Sequence, residues 1–364
     1  HFALIDFLNS AQRESILKGK SVNTSFIQKL PFVKKHYRKY LPLFPYAIEQ
    51  FDLNDYELVL SCSSCVSKGV LTNHNQLHIS YVLSPVRYAW DLYAQYLTES
   101  NLNKIDSTFH LPNSGRNALE EFNSCHIPNA RFFDINKISE QSSDLPHMLP
   151  NELFFSEMVG KLGINNDDTV VAYDNSIFFS SARAWWMFKI FGHKNLKIID
   201  GGLKAWKDQG GLLESKKNVF KNTTYIAQKV NDKLYDNLDN IMEDLNNYRN
   251  KVIIDARGEE RFLGQVEEPR PKVRSGHIPS SLNIPISSLI DKKSNCFKSA
   301  SEINQIFRDI GITNKDAELV MTCGSGVTAC GLAIAANSLG FKNVKVYDGS
   351  WSEWGANPKT PIEL

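Results

Sequence analysis

Met321-Thr-Cys-Gly-Ser-Gly-Val-Thr328 sets one cysteine ahead of two glycines that flank a serine. The apolar run Glu318–Thr322 reads as a central β-strand, and Val327–Leu339 reads as a helix. Cys323 therefore falls at the carboxyl end of a predicted parallel strand, the edge at which open α/β sheets bind ligands. The glycines let several backbone N–H groups of Gly324, Ser325, Gly326, Val327 and Thr328 turn toward one point. The helix N-terminus adds partial positive charge. Together they favour a thiolate or a charged sulfur adduct. The loop alone is equally compatible with a buried cysteine in a glycine turn. A cysteine loop for phosphate esters would carry an arginine six positions on; Ala329 stands there, and a small uncharged loop suits sulfur transfer better. The other cysteines compete poorly. Cys125 precedes His126 in a turn, Cys296 lies in a polar loop, and Cys330 reads as core. Cys62-Ser-Ser-Cys65 has C-x-x-C spacing but no second pair, so no metal site is expected there.

An internal repeat sets the elements around this loop. Phe191–Trp206 and Leu339–Trp354 match at seven of sixteen positions with an offset of 148 residues. His126–Ile135 answers His277–Ile286 at an offset of 151. The unit is too long for a solenoid repeat and reads as a duplicated domain. Each copy runs strand, loop, helix, strand: Thr169–Tyr173, Ala182–Phe191 and Leu196–Ile199 in the first, and Glu318–Thr322, Val327–Leu339 and Val344–Tyr347 in the second. That order implies parallel sheets covered on both faces. Asp174-Asn175-Ser176 replaces the cysteine loop in the first copy, which implies one live site and one spent site. The expected organisation is an α/β segment over 1–97, a non-catalytic domain over 104–215, a polar linker over 216–246 with an amphipathic helix near Leu238–Tyr248, and a catalytic domain over 247–364.

Composition bounds the function. A chain of 364 residues with 42% hydrophobic and 22% charged content suits a globular protein of two or three domains. A net charge of +1 gives no field for nucleic acid or an anionic membrane, and no apolar run is long enough to span a bilayer. Six cysteines in this length point to a reducing compartment, here expected to be the cytoplasm. The chain starts at His1 without a signal-like segment, so a start upstream is expected. The basic, aromatic stretch Lys29–Leu41 reads as a solvated face.

Cys323–Ala329 (CGSGVTA), Gly276–Pro279 (GHIP), Asp348–Trp354 (DGSWSEW), Pro146–Pro150 (PHMLP) and Trp185–Phe188 (WWMF) resemble the tandem rhodanese sulfurtransferases, in particular the branch that acts on 3-mercaptopyruvate. The resemblance covers about residues 104–364. It implies that Cys323 attacks the donor sulfur, releases pyruvate and carries a persulfide to cyanide or a thiol such as thioredoxin. It implies no cofactor. Loop N–H groups would cradle the persulfide. Thiosulfate-specific members place cations after the cysteine; Gly324 and Ser325 are uncharged here, so thiosulfate is the runner-up donor. The family's two substrate arginines fall on Arg261 and Arg270, nine residues apart, and would hold the donor carboxylate. Its Ser–His–Asp relay falls on Ser325, His147 and Asn136, with Asp134 an alternative acid. Asn129 and Ser280 stand where the family has a glycine after His-Ile-Pro, at a modest expected cost.

Residues 1–97 show a separate resemblance. Thr24–Val70 and Gln76–Leu97 are similar to part of the N-terminal half of a GT-B glycosyltransferase. The nucleotide-sugar half has no counterpart in this sequence, so no glycosyl transfer is expected. An inactive fusion and a non-catalytic binding module are the remaining alternatives.

Overall fold

The computed structural model describes residues 1–63, 71–72, 76–82, 102–111, 114–247 and 250–364. The chain forms two compact units, His1–Tyr96 and Leu97–Leu364. In the first unit β1 (Phe2–Ala3) pairs in parallel with β2 (Asn23–Thr24), and β3 (Leu58–Ser63) pairs in parallel with β4 (Leu77–Val82). A small core of Ile27, Val33, Phe44 and Ala47 holds the short helices, while Leu58, Leu60, Leu77 and Ile79 on the strands stay exposed. Cys65 and the Cys62 side chain lie outside the described residues.

The second unit holds two wholly parallel sheets. The first runs β6 (Arg131–Phe132), β5 (Asn103–Asp106), β7 (Val170–Tyr173), β8 (Leu196–Ile198). The second runs β11 (Leu282–Asn283), β10 (Val252–Asp255), β12 (Glu318–Thr322), β13 (Asn343–Tyr347), β9 (Tyr235–Asp236). Central strands β7 and β12 are apolar and buried along almost their whole length, as strands covered on both faces must be. β9 and the helix Leu238–Asn247 both fall within or overlap the stretch read from sequence as a linker, and β9 supplies the fifth strand of the second sheet.

Each central strand passes through a tight turn into a buried helix, Ser181–Ile190 after β7 and Val327–Ser338 after β12. These two helices pack against each other, and one apolar core runs continuously through both sheets. Gly331 within Val327–Ser338 also lets the Ile286 side chain approach that helix. A Cβ on Gly331 would lie 2.9 Å from Ile286 Cδ1. Each copy also fastens its own end. His126 and Glu214 exchange two backbone hydrogen bonds of 2.8 and 2.9 Å, and His277 and Glu363 repeat the pattern at 2.8 and 2.9 Å. The turns after His-Ile-Pro put Asn129 and Ser280 in left-handed backbone, both at φ 61°. No helix among the described residues is long and apolar enough to cross a membrane.

Candidate active site

β12 ends at Thr322, and the chain turns through Cys323–Gly326 into the following helix. Gly326 makes the turn at φ +73°, where a Cβ would meet Asp348 O at 2.8 Å, so the position requires glycine. Ser350 shapes the loop from beneath. Its Oγ accepts the Cys323 N–H at 3.2 Å and the Gly326 N–H at 3.1 Å and donates to Tyr347 O at 2.8 Å. Ser352 N–H donates to Gly324 O at 2.8 Å. The sequence reading placed Gly326 in the N–H cradle. The structure corrects this: its N–H is engaged by Ser350, and Gly324, Ser325, Val327 and Thr328 line the cavity without it.

Cys323 sits at the base of a cavity of about 140 Å³, itself only 1% exposed. Phe109 and Phe178 of the first copy form part of the wall, and Arg261 and Arg270 of the second form another. Both guanidinium groups converge on Gly324. A Cβ there would lie 3.3 Å from Arg261 Nη2 and 3.8 Å from Arg270 Nη1. Glu268, buried and absent from the sequence reading, holds Arg261 at 2.5 Å and Arg257 at 2.8 Å. Arg257 is paired in turn with buried Asp255 at 2.7 Å. Among the described residues, Arg257 and Arg261 are paired with these two carboxylates, and Arg270 lies beside the loop serine and Cys323.

His147 is brought from the first copy to the second. Its Nδ1 lies 2.9 Å from Ser325 Oγ, and its Nε2 lies 2.9 Å from Asn136 Oδ1. An amide oxygen only accepts, so Nε2 carries the proton and Nδ1 accepts from the Ser325 hydroxyl. Arg270 donates to that hydroxyl from 3.3 Å. Burial first, then the Arg183 and Arg270 charges, push the His147 pKa down to about 3. The imidazole is therefore neutral. Asp134 is not the missing acid: its carboxylate accepts the N–H groups of Asn136 and Lys137, closing its own turn. Burial lowers the Arg270 pKa from its ordinary value, opposed by the charge at Cys323. Burial pushes the Cys330 thiol up to about 12, and its Sγ lies against Gly326 O, which makes it a packing residue.

Arg183 and Ser350 escaped the sequence reading because the groups they hold at the loop are distant in the chain; Glu268 pairs with Arg257 and Arg261 across 11 and 7 residues in an irregular segment, where no periodicity reports the contact. One signal was present for Arg183: a single cation within Ser181-Ala-Arg-Ala-Trp-Trp-Met-Phe188, an otherwise apolar helix, is costly unless paired.

A family model described as "Rhodanese-like domain" matches residues 116–209 and 234–357. The thiosulfate/3-mercaptopyruvate sulfurtransferase 1, mitochondrial, of Arabidopsis thaliana is 38% identical over 294 residues, covering 73% of this chain and 75% of that protein. The 3-mercaptopyruvate sulfurtransferase of Escherichia coli K12 is 37% identical over 282 residues, covering 75% and 96%. Among solved structures, SseA from Escherichia coli, a 3-mercaptopyruvate enzyme of rhodanese fold, aligns at TM-score 0.64 and 34% identity over 72% of this chain and 97% of its own. Tum1 from Saccharomyces cerevisiae aligns at TM-score 0.68 and 26% identity over 74% and 95%.

Proposed function

The chain belongs to the rhodanese-like sulfurtransferases, and we propose that its two copies act as one 3-mercaptopyruvate sulfurtransferase with Cys323 as the nucleophile. The observation that carries the donor assignment is the convergence of Arg261 and Arg270 on Gly324 beside Cys323. Two guanidiniums at the mouth of the loop suit the planar, bidentate recognition of a carboxylate. Thiosulfate is the second reading, because a relative 38% identical to this chain is named for both donors.

In the first half-reaction the Cys323 thiolate attacks the donor sulfur. The S–S bond forms as the C–S bond breaks, and its electron pair passes to carbon as an enolate. The donor's thiol proton ends on that carbon, so pyruvate leaves and Cys323 holds a persulfide anion. Ser325, held between His147 and Arg270, is placed to relay the proton. The free N–H groups of the loop stabilise the persulfide charge. In the second half-reaction an acceptor thiolate takes the outer sulfur and Cys323 leaves as thiolate. Thioredoxin is the acceptor we favour, because its second thiol would resolve the mixed persulfide. That chemistry needs a reducing compartment, and we assign the cytoplasm.

Mixing the chain with 3-mercaptopyruvate alone tests this. A pyruvate burst near one per chain, with one sulfur gained at Cys323 by intact mass, is the expected result. No burst from a folded chain that gains sulfur from thiosulfate would transfer the assignment to the second donor.

A further inference from the structure

We propose that Arg183, carried by the copy that lacks a loop cysteine, is a positioning residue for sulfur transfer; this rests on the reading of Cys323 above. Arg183 is fully buried and reaches across from the helix Ser181–Ile190. Its Nη1 lies 2.7 Å from Asp348 Oδ1 and 3.3 Å from Gly326 O, and its Nη2 donates to His147 O. Asp348 Oδ2 accepts the Leu149 N–H at 2.7 Å. One guanidinium and one carboxylate therefore tie the segment bearing His147 to the turn bearing Cys323. The tie acts on a segment that needs holding: His147 sits at φ +63°, a left-handed conformation that disfavours a non-glycine residue.

The repeat supplies the control. Asp200 is the first copy's counterpart of Asp348, and it also crosses between copies, accepting the Phe297 N–H at 2.8 Å. No arginine pairs with it among the described residues, and Gly331 and Leu332 stand at the positions that answer Arg183. On that side the copies dock through this aspartate, the Phe179–Phe297 ring contact and the Asn295 Nδ2 hydrogen bond to Ser176 O at 3.3 Å, without a buried arginine. A buried ion pair is poor value as pure stabilisation, since apolar replacements usually serve as well. The arginine is added only on the side that faces the live cysteine, where it registers two carbonyls that belong to the reacting machinery. Misplacement of such groups by about 1 Å costs roughly a hundredfold in rate.

The test compares wild type, Arg183→Lys and the charge-neutral pair Arg183→Met with Asp348→Asn in single-turnover pyruvate bursts. Burst amplitude counts folded, competent sites; burst rate reads positioning. Arg183→Lys keeps the ion pair and cannot span both carbonyls. The expected result is a full amplitude, a KM within about twofold and a burst rate down by at least about tenfold. The neutral pair behaves likewise, and ¹⁵N shifts of the His147 ring move in both. A lowered amplitude at unchanged rate, with the ring shifts unmoved in the folded fraction, would reduce Arg183 to a structural role and overturn the proposal. The ring shifts need no donor. If wild type shows no burst, the sulfur-transfer reading fails, while unmoved shifts in the variants would count against the positioning role independently.

Discussion

At the scale of single residues the proposed mechanism divides the site into groups that react, groups that hold the donor and groups that orient. Cys323→Ser removes the nucleophile without changing volume much, so turnover should fall to background while the chain still unfolds in a cooperative transition; sulfur transfer above background would reassign the nucleophile. Arg270 touches Ser325 as well as the donor space, whereas Arg261 is already engaged by Glu268. Arg261→Ala should therefore raise the KM for 3-mercaptopyruvate alone, and Arg270→Ala should raise KM and lower kcat; steady-state kinetics with unchanged KM in both would remove the carboxylate clamp. Asn136 is the most informative position. Its amide orients His147 but offers no charge to an imidazolium, and the ring is held neutral by burial and two arginines. Asn136→Asp should raise the His147 pKa and shift the acid limb of the burst-rate profile upward, with a rate change of roughly tenfold or less. A profile that superimposes on wild type would show that the ring's proton plays no part in the rate.

The elements show why some of this was legible beforehand. Cys323 with its glycines and the parallel strands β7 and β12 are local patterns, and local patterns are what sequence periodicity and turn chemistry report; Arg261 and Arg270 came from the family resemblance alone. Gly326 was misplaced because the direction of its N–H depends on Ser350, which is 24 residues away and makes contact only after β13 has crossed back. Arg183 is illegible for the same reason, since Gly326 lies 143 residues on. The first unit's glycosyltransferase-like reading stands on sequence resemblance alone. The turns after His-Ile-Pro allow a prediction that needs no chemistry. Ser280 is exposed, holds φ 61° and uses its backbone N–H on Glu363. Ser280→Gly keeps that hydrogen bond and relieves the left-handed penalty, so the denaturant midpoint should rise by the equivalent of about 1 kcal/mol, net of glycine's larger entropy in the unfolded chain. A lower midpoint would mean that the Ser280 side chain contributes more than its exposure suggests.

For the whole molecule, two of the buried groups that couple stability to pH, His147 and Asp106, act with opposite sign. The unfolded His147 ring binds a proton near pH 6.5, but the folded ring resists it until about pH 3. Its contribution is complete above about 6.5 and is lost as pH falls toward 3. Asp106 does the reverse. Burial raises its carboxyl to about 7, with hydrogen bonds from Thr108 opposing, so the folded state gives up this proton later than the unfolded one. Its contribution is complete below the ordinary carboxylate range and is lost as pH rises to about 7. Asp106→Asn removes only the second effect. Urea midpoints should favour the variant increasingly from pH 4 to pH 7 and by a constant margin above; a margin that is flat throughout would mean that Asp106 ionises normally. One further consequence comes from the paired hydrogen bonds that join His126 to Glu214 and His277 to Glu363. Among the described residues, each copy is latched by its own last residues, and neither sheet takes a strand from the other copy. A gene segment encoding such a self-latched unit can be copied head to tail and both products will close, leaving later substitutions free to extinguish one thiol and recruit that copy as the wall of the other's reaction chamber.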